Sequence, residues 1–238
     1  MRPLLIVSWL AVSFTGPTPL PQEPGSAITG VVKFEGAYKP RKLNAEIDQA
    51  KHGGPGRDGK DVFDEIVVLG SNQELANVMV CIKGPVAGHY VAPKEPVELD
   101  VRGYFFSPRV IVVRTNQKLR LKNSGFNSLS VRGQAKQNQQ FNVGILKGAH
   151  YDVSFRNSEF AIPVNHDCCP WMIAWIHVLD HPFFAVSGLD GAFRIAGLPA
   201  GKYEVEAWHE KFGTRTATVT VGEKEAKTLD FTFKSENK

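Results

Sequence analysis

Apolar and polar residues alternate along most of this chain. Between positions 202 and 207, Tyr203, Val205 and Ala207 fall on one parity, and Lys202, Glu204 and Glu206 on the other. Ala217, Val219 and Val221 likewise interleave with Thr216, Thr218 and Thr220, and Leu229, Phe231 and Phe233 complete the set. Period-two runs of this kind predict half-buried strands. The turns between them carry glycine, at "DG", "PAG" and "VGEKE". Upstream, "ITGVVKF" (28–34), "EIVVL" (65–69) and "NVMVCIKG" (77–84) predict strands, with Ile28, Val32 and Phe34 on the inner face of the first. In "YFFSPRVIVVRTNQKLRLKNSG" (104–125), Leu119 and Leu121 oppose Lys118, Arg120 and Lys122. "SLSVRG", "HYDVSF" and "EFAIPV" continue the pattern, and "MIAWIHVLDHPFFAVS" (172–187) supplies one or two further strands. Only "LNAEIDQAKHGG" (43–54) reads as a helix, with Asn44 to cap it and Gly53 to stop it. The expectation is an all-β, turn-rich β-sandwich protein.

Length and composition narrow this reading. The chain has 238 residues, 22 Gly and 15 Pro, enough for one large domain or two small ones. Its start has one Arg and then an apolar run from Pro3 to Phe14, too short to cross a bilayer as a helix. Residues 1–26 therefore read as an export signal with a Pro-rich leader, and the protein as periplasmic or secreted, with no transmembrane segment after signal removal. The first cysteine is Cys81, so a lipid-anchored N-terminus is not expected. The net charge of +4 is spread among mixed charges, with no basic stripe interleaved with aromatics, so nucleic acid is not an expected partner.

The densest chemistry lies in "VNHDCCPWM" (164–172), where His166, Cys168, Cys169 and Met172 place an imidazole, two thiols and a thioether within seven residues. Such donors suit a soft metal ion such as Cu(I). Three cysteines is an odd number, so at least one thiol is free. A disulfide within the Cys168–Cys169 pair, or from either to Cys81, is open from sequence, and Cys81 by itself reads as a buried structural thiol. His177, His181 and His209 read as hydrogen-bonded structural imidazoles, and His52 as a helix-terminal cation. Trp171 and Trp175 flank the loop, either as core or as an apolar docking patch. The chain has no G-x-S-x-G, no H-E-x-x-H and no phosphate-binding glycine loop, and "GGPGRDGKD" (53–61) reads as a plain loop. No enzymatic activity is expected.

Two resemblances follow. "DGAFRIAGLPAGKYEVEAWHE" (190–210) is similar to the D-G-x-F-x-I-x-x-L-P-x-G-x-Y-x-V-x-A pattern of carboxypeptidase-regulatory-like, or transthyretin-like, sandwich modules, and to the accessory sandwich of rhamnogalacturonan lyases. Such likeness speaks to fold and implies no lyase chemistry. "YFFSPRVIVVRTNQKLRLKNSG" followed some forty residues on by "CPWM" resembles the strands and metal loop of a cupredoxin. With "VLDHPFFAV" and "EAWHEKFGT", the chain resembles exported bacterial proteins described as plastocyanin-like or methylamine-utilisation-like, over nearly its whole mature length. The resemblances imply a carboxypeptidase-regulatory-like sandwich from 27–99 plus 183–235, and a cupredoxin-like Greek-key sandwich over 100–182 inserted in it or adjacent to it. They also imply a copper site, with a redox partner protein or a glycan as binding partner.

A blue-copper centre takes two imidazoles and a thiolate, with a distant thioether. In the resembling proteins the loop reads like C-D-V-H-P-W-M, and the second His comes from an upstream strand. Here the upstream position falls on Leu129, the Cys position on His166 and the His position on Cys169, while Met172 alone matches. The resemblance further implies a Cys pair at positions held here by Asp48 and Tyr104. Three readings stay open: copper binding or electron transfer through the altered set His166, Cys169 and Met172 with Cys168 in reserve; a thiol redox pair; or a degenerate site in a carbohydrate- or protein-binding module of the cell envelope.

Overall fold

The computed structural model describes residues 25–49 and 60–235. The leader expected up to residue 26, His52, Gly53 and most of the glycine-rich loop lie outside these residues, apart from Gly25 and Ser26. In chain order, β1 (Ser26–Glu35) is followed by a short helix α1 (Asn44–Gln49), β2 (Met79–Ile82), β3 (Val97–Arg102) and β4 (Phe105–Ser107). Next come β5 (Val110–Arg114), β6 (Lys118–Lys122), β7 (Ser128–Gly133), β8 (Phe141–Leu146) and β9 (His150–Ser154). A long hairpin joins β10 (Glu159–His166) to β11 (Cys169–Leu179). The chain ends with β12 (Phe184–Val186), β13 (Ala192–Leu198), β14 (Gly201–His209), β15 (Gly213–Val221), β16 (Ala226–Thr228) and β17 (Phe231–Lys234).

These strands form four sheets in two β-sandwiches. In the first, β1 pairs antiparallel with β13 and parallel with β16 and then β17. The opposing sheet runs β12-β2-β14-β15. The chain's beginning and its last fifty residues thus share both sheets. Phe34, Val80, Ile195, Val205 and Phe233 fill the space between them, because each sits on the inward parity of its strand. Gly30 lies where β1 changes partner from β16 to β17. A Cβ there would meet the Leu229 carbonyl oxygen at 1.9 Å, so only glycine allows the close approach.

The second sandwich packs the sheet β5-β11-β10-β7-β8 against β4-β3-β6-β9. Leu99, Ile111, Leu119, Leu121, Leu129, Val164 and Ile176 are among its core residues. Leu43, just before helix α1, and Ile47 within it join this second core rather than the first. Ile47, next to Asp48, and Tyr104 lie against the same cluster. A third cluster joins the sandwiches, where Met79 and Cys81 of β2 meet Val110 and Val112 of β5 and Leu179 of β11.

Two differences from the sequence reading have local causes. "EIVVL" forms no regular strand. The Asp64 carboxylate accepts from the Arg41 amide, the Tyr38 hydroxyl and the Ile66 amide, so a side chain takes the backbone donor that a ladder would use. Strands β3 and β8, which the pattern did not single out, complete their sheets. β8 buries only Ile145 fully and carries Gly144, so its alternation is muted by its place at a sheet edge.

Candidate metal loop

The loop's donors are set out by the β10–β11 hairpin. Its final register pair is His166 with Cys169, joined by a two-residue turn of Asp167 and Cys168. Ile162, Val164 and His166 share the inward parity of β10, which carries the imidazole into the sandwich, where it is 5% exposed. The register then jumps, since Asn165 pairs with Ile173, leaving residues 170–172 unpaired as a bulge. This irregularity buries Trp171 and Met172 in succession, which a regular strand would not do. Cys169 and Met172 enter the same apolar cluster, and both are essentially sealed from solvent. Cys168 sits at the turn and is exposed.

Hydrogen bonds fix the imidazole. His166 Nδ1 lies 3.0 Å from the Ser130 carbonyl and 2.8 Å from Ser130 Oγ. A carbonyl oxygen can only accept, so Nδ1 carries a proton. Ser130 Oγ also accepts from the Asp167 amide, which ties the turn to β7. The Phe126 ring packs edge-on against His166 at 5.7 Å. Trp171 donates from Nε1 to the Tyr104 carbonyl at 3.1 Å and is 8% exposed, so it belongs to the core wall and not to an open docking patch. Burial, with a smaller contribution from Cys168, pushes the Cys169 thiol up to about 11.

Leu129 is fully buried on β7, in the same cluster as Cys169 and Met172. At the position where the cupredoxin pattern places an imidazole, the structure therefore has a hydrocarbon side chain. Among the described residues no three of His, Cys, Asp and Glu gather as a metal-holding group, so a three-donor set at this loop needs the Met172 thioether. His166 and Cys169 are register partners at the hairpin end, Met172 is buried in the core of the same sandwich, and Cys168 is exposed at the turn. All three cysteines are free thiols. Cys81 lies in the joint between sandwiches, where burial, with Glu206 second, raises its thiol to about 12.

His177, His181 and His209 have structural surroundings. His181 Nε2 donates to the Ile82 carbonyl, and its Nδ1 accepts from the Phe183 amide. His177 Nδ1 accepts from the Ala161 amide, and its ring lies between Phe160 and Trp208. His209 Nδ1 accepts from the Lys211 amide, and its ring stacks on Phe212. Burial pushes His177 down to about 3, while burial followed by Arg109 and Lys211 takes His209 to about 4. A group that sequence reasoning missed closes the joint. Arg109 makes a two-pronged ion pair with Glu210, each side chain under a tenth exposed, and Trp175 Nε1 donates to the same carboxylate at 3.0 Å. Trp175 thus belongs to the joint. No motif signals this pair, because its members lie 101 residues apart in different sandwiches.

Among known families, the carboxypeptidase regulatory-like domain matches residues 177–234. Comparison with curated proteins finds no match. Similar solved structures include a copper-containing nitrite reductase from Thermus scotoductus, at 16% identity and TM-score 0.34, covering 41% of this chain. This chain spans only 25% of that enzyme. A purple cupredoxin from Nitrosopumilus maritimus matches at 14% identity and TM-score 0.30, over 34% of this chain and 98% of its own. A reduced Cu(I) form of an amicyanin variant matches at 15% and 0.32, over 42% and 97%. These are likenesses of fold and assign no role to any residue here. The carboxypeptidase regulatory-like match falls within an all-β structure. Among the described residues no helix is long and apolar enough to cross a membrane.

Proposed function

We propose that this is an exported, non-enzymatic cupredoxin-like protein whose altered loop takes copper as Cu(I). The observation that carries the reading is the register pairing of His166 with Cys169, both turned inward, with Met172 buried in the same cluster. Side chains directly opposite on antiparallel strands have Cβ atoms about 4.5–5.5 Å apart, close enough for both to reach one ion. The donors fit Cu(I) and fit blue copper poorly. Cu(I) accepts few, soft ligands. A cuprous ion with the Cys169 thiolate is a neutral pair, which an apolar pocket tolerates. Cupric ion with one thiolate keeps a positive charge, and the second imidazole that would share it is Leu129. Ser130 holds the His166 ring through Nδ1, so Nε2 is the nitrogen that meets the ion. When bound, the ion supplies a cuprous centre for storage or transfer; fast cycling with Cu(II) is not the chemistry that this set favours.

A second reading rests on Leu129 itself. Its complete burial beside Cys169 and Met172 also suits a scaffold that has lost its metal, leaving an envelope module that binds a glycan or protein elsewhere. Anaerobic titration of the mature protein with Cu(I) against a competing chelator separates the two. The first reading expects one Cu(I) per chain, with uptake lost in Cys169→Ser, cut at least about tenfold in His166→Ala, and unchanged in Cys81→Ser. Uptake no greater than that of a cysteine-free variant overturns it in favour of the second.

A further inference from the structure

Far along the chain from the copper loop, the first sandwich has a concave end about 450 Å³ in volume. Three separate segments build it: Phe34 with Ala37 and Tyr38 at the end of β1, Lys211, Phe212 and Arg215 in the β14–β15 hairpin, and Lys234 with Ser235 at the end of β17. The floor is aromatic. Phe34 and Phe212 stack at 5.0 Å, and the Tyr38 ring lies beside them with Lys211 Nζ 4.5 Å from its centroid. The rim is cationic. Lys234 pairs with Glu35, but neither Lys211 nor Arg215 has a carboxylate partner among the described residues. The Arg215 guanidinium lies over the Phe233 ring, and its Nη1 donates to the Thr214 carbonyl.

The hairpin bearing these cations is held from below. Glu210, the first residue of its three-residue loop, is locked by Arg109 and Trp175 of the other sandwich. The Lys211 amide is held by His209 Nδ1, and Gly213 closes the turn at φ +69°, a backbone conformation that suits glycine. Lys211 and Phe212 therefore emerge from a fixed base, and a ligand meets a surface that needs little ordering. The volume falls within the roughly 300–1,000 Å³ of small-molecule sites.

From this placement we infer that the concave end is a binding site for a carboxylate carried on a ring with an apolar face. The carboxylate sits between Lys211 and Arg215, and the ring lies on Phe212 and Tyr38. A uronic acid unit of a glycan and an aromatic carboxylic acid share this chemistry. The inference is independent of copper, and either can fail without the other.

Titration calorimetry and amide NMR on the full mature chain, with benzoate and digalacturonate as separate probes, test it. At least one probe is expected to bind and to shift amides of 211–215 and 37–38, and the tighter one identifies the source. Its neutral counterpart, benzamide or the digalacturonate methyl ester, is expected to bind at least about tenfold more weakly, as is the charged probe to Arg215→Gln or Lys211→Gln. Both side chains are exposed, and the charge comparison on the unaltered protein needs no variant. No binding by either probe overturns the inference. So does equal binding of charged and neutral forms, or inorganic sulfate binding as tightly as the carboxylates, which would reduce the site to a patch of charge.

Discussion

The hairpin end of the second sandwich and the joint between sandwiches both bury imidazole and thiol, yet they set these groups out differently. In the joint, Cys81 points into an aliphatic cluster, while His177 and His209 are enclosed by aromatic rings. Each of those imidazoles spends one nitrogen on a neighbouring backbone amide. At the hairpin, imidazole and thiol are register partners, a buried thioether follows across a bulge, and the Ser130 carbonyl of the next strand accepts from the imidazole. Burial is common to both places. What distinguishes them is that strand register sets an imidazole opposite a thiol at the hairpin and not in the joint. The joint has a different use for its polar groups: Arg109, Glu210 and Trp175 lock the sandwiches together and fix the hairpin from which Lys211 and Phe212 emerge.

The largest expected effect tests that locking role. Arg109→Ala leaves Glu210 buried without its counter-charge, and removing one partner of a buried pair costs about 3–5 kcal/mol. Chemical denaturation should show a loss of this size. The double variant Arg109→Met/Glu210→Gln should recover part of it, because no isolated charge remains and an amide can still accept from Trp175. A single-variant loss below about 1 kcal/mol would mean that the pair is solvated, as surface pairs are.

The next effect in size concerns acid. His177 is held neutral by burial, at about 3 against an ordinary value near 6.5. The unfolded chain therefore binds the extra proton first. This contribution to stability is complete above about pH 6.5 and drains away as pH falls toward 3, by an amount on the order of a few kcal/mol. Phe160 and Trp208 face the ring, and no charged group offsets its burial. His209 adds a loss of the same sign, ending near pH 4. Denaturation at pH 7 and pH 4 should show a smaller acid loss in His177→Phe than in the natural chain. Equal losses would indicate an imidazole in contact with water.

How far the sequence shows this molecule depends on which kind of contact is asked about. Alternation and turn glycines reveal the strands wherever one face is buried and the other wet, as in β13 to β15. They fail where a strand is an edge, as β8 is, or where a side chain such as Asp64 captures the ladder's donors. The donor types of the loop are legible because they are consecutive. The facing of His166 and Cys169 is not, since it depends on the register shift after Asn165. Ser130 as the residue that orients His166, and Glu210 as the anchor of the joint, were invisible because each acts across a strand or sandwich boundary.

A third change converts one side of the comparison. Leu129→His places a second imidazole in the apolar cluster beside Cys169 and Met172. Burying the new polar group should cost about 1–3 kcal/mol in the metal-free protein. With two imidazoles and a thiolate available, the variant should bind Cu(II) and develop the intense visible absorption of copper–thiolate bonding, which the natural chain should lack. A colourless variant that still takes up Cu(I) would show that interchanging His166 and Cys169 along the loop disables the cupric geometry by itself.

The smallest expected effect probes the orienting serine. Ser130→Ala removes the hydroxyl that accepts from His166 Nδ1 and from the Asp167 amide, while the Ser130 backbone carbonyl keeps its own bond to Nδ1 at 3.0 Å. Stability should fall by only about 1 kcal/mol. The tautomer survives, but the ring gains freedom to tilt, and losing an outer hydrogen-bond partner of a ligating imidazole typically weakens metal affinity about tenfold or more. A scaffold without metal would show the stability change alone. A drop in Cu(I) affinity in Ser130→Ala, absent from a control such as Ser128→Ala on the same strand, therefore ties copper to the hairpin end that Ser130 holds through the His166 ring and the Asp167 amide.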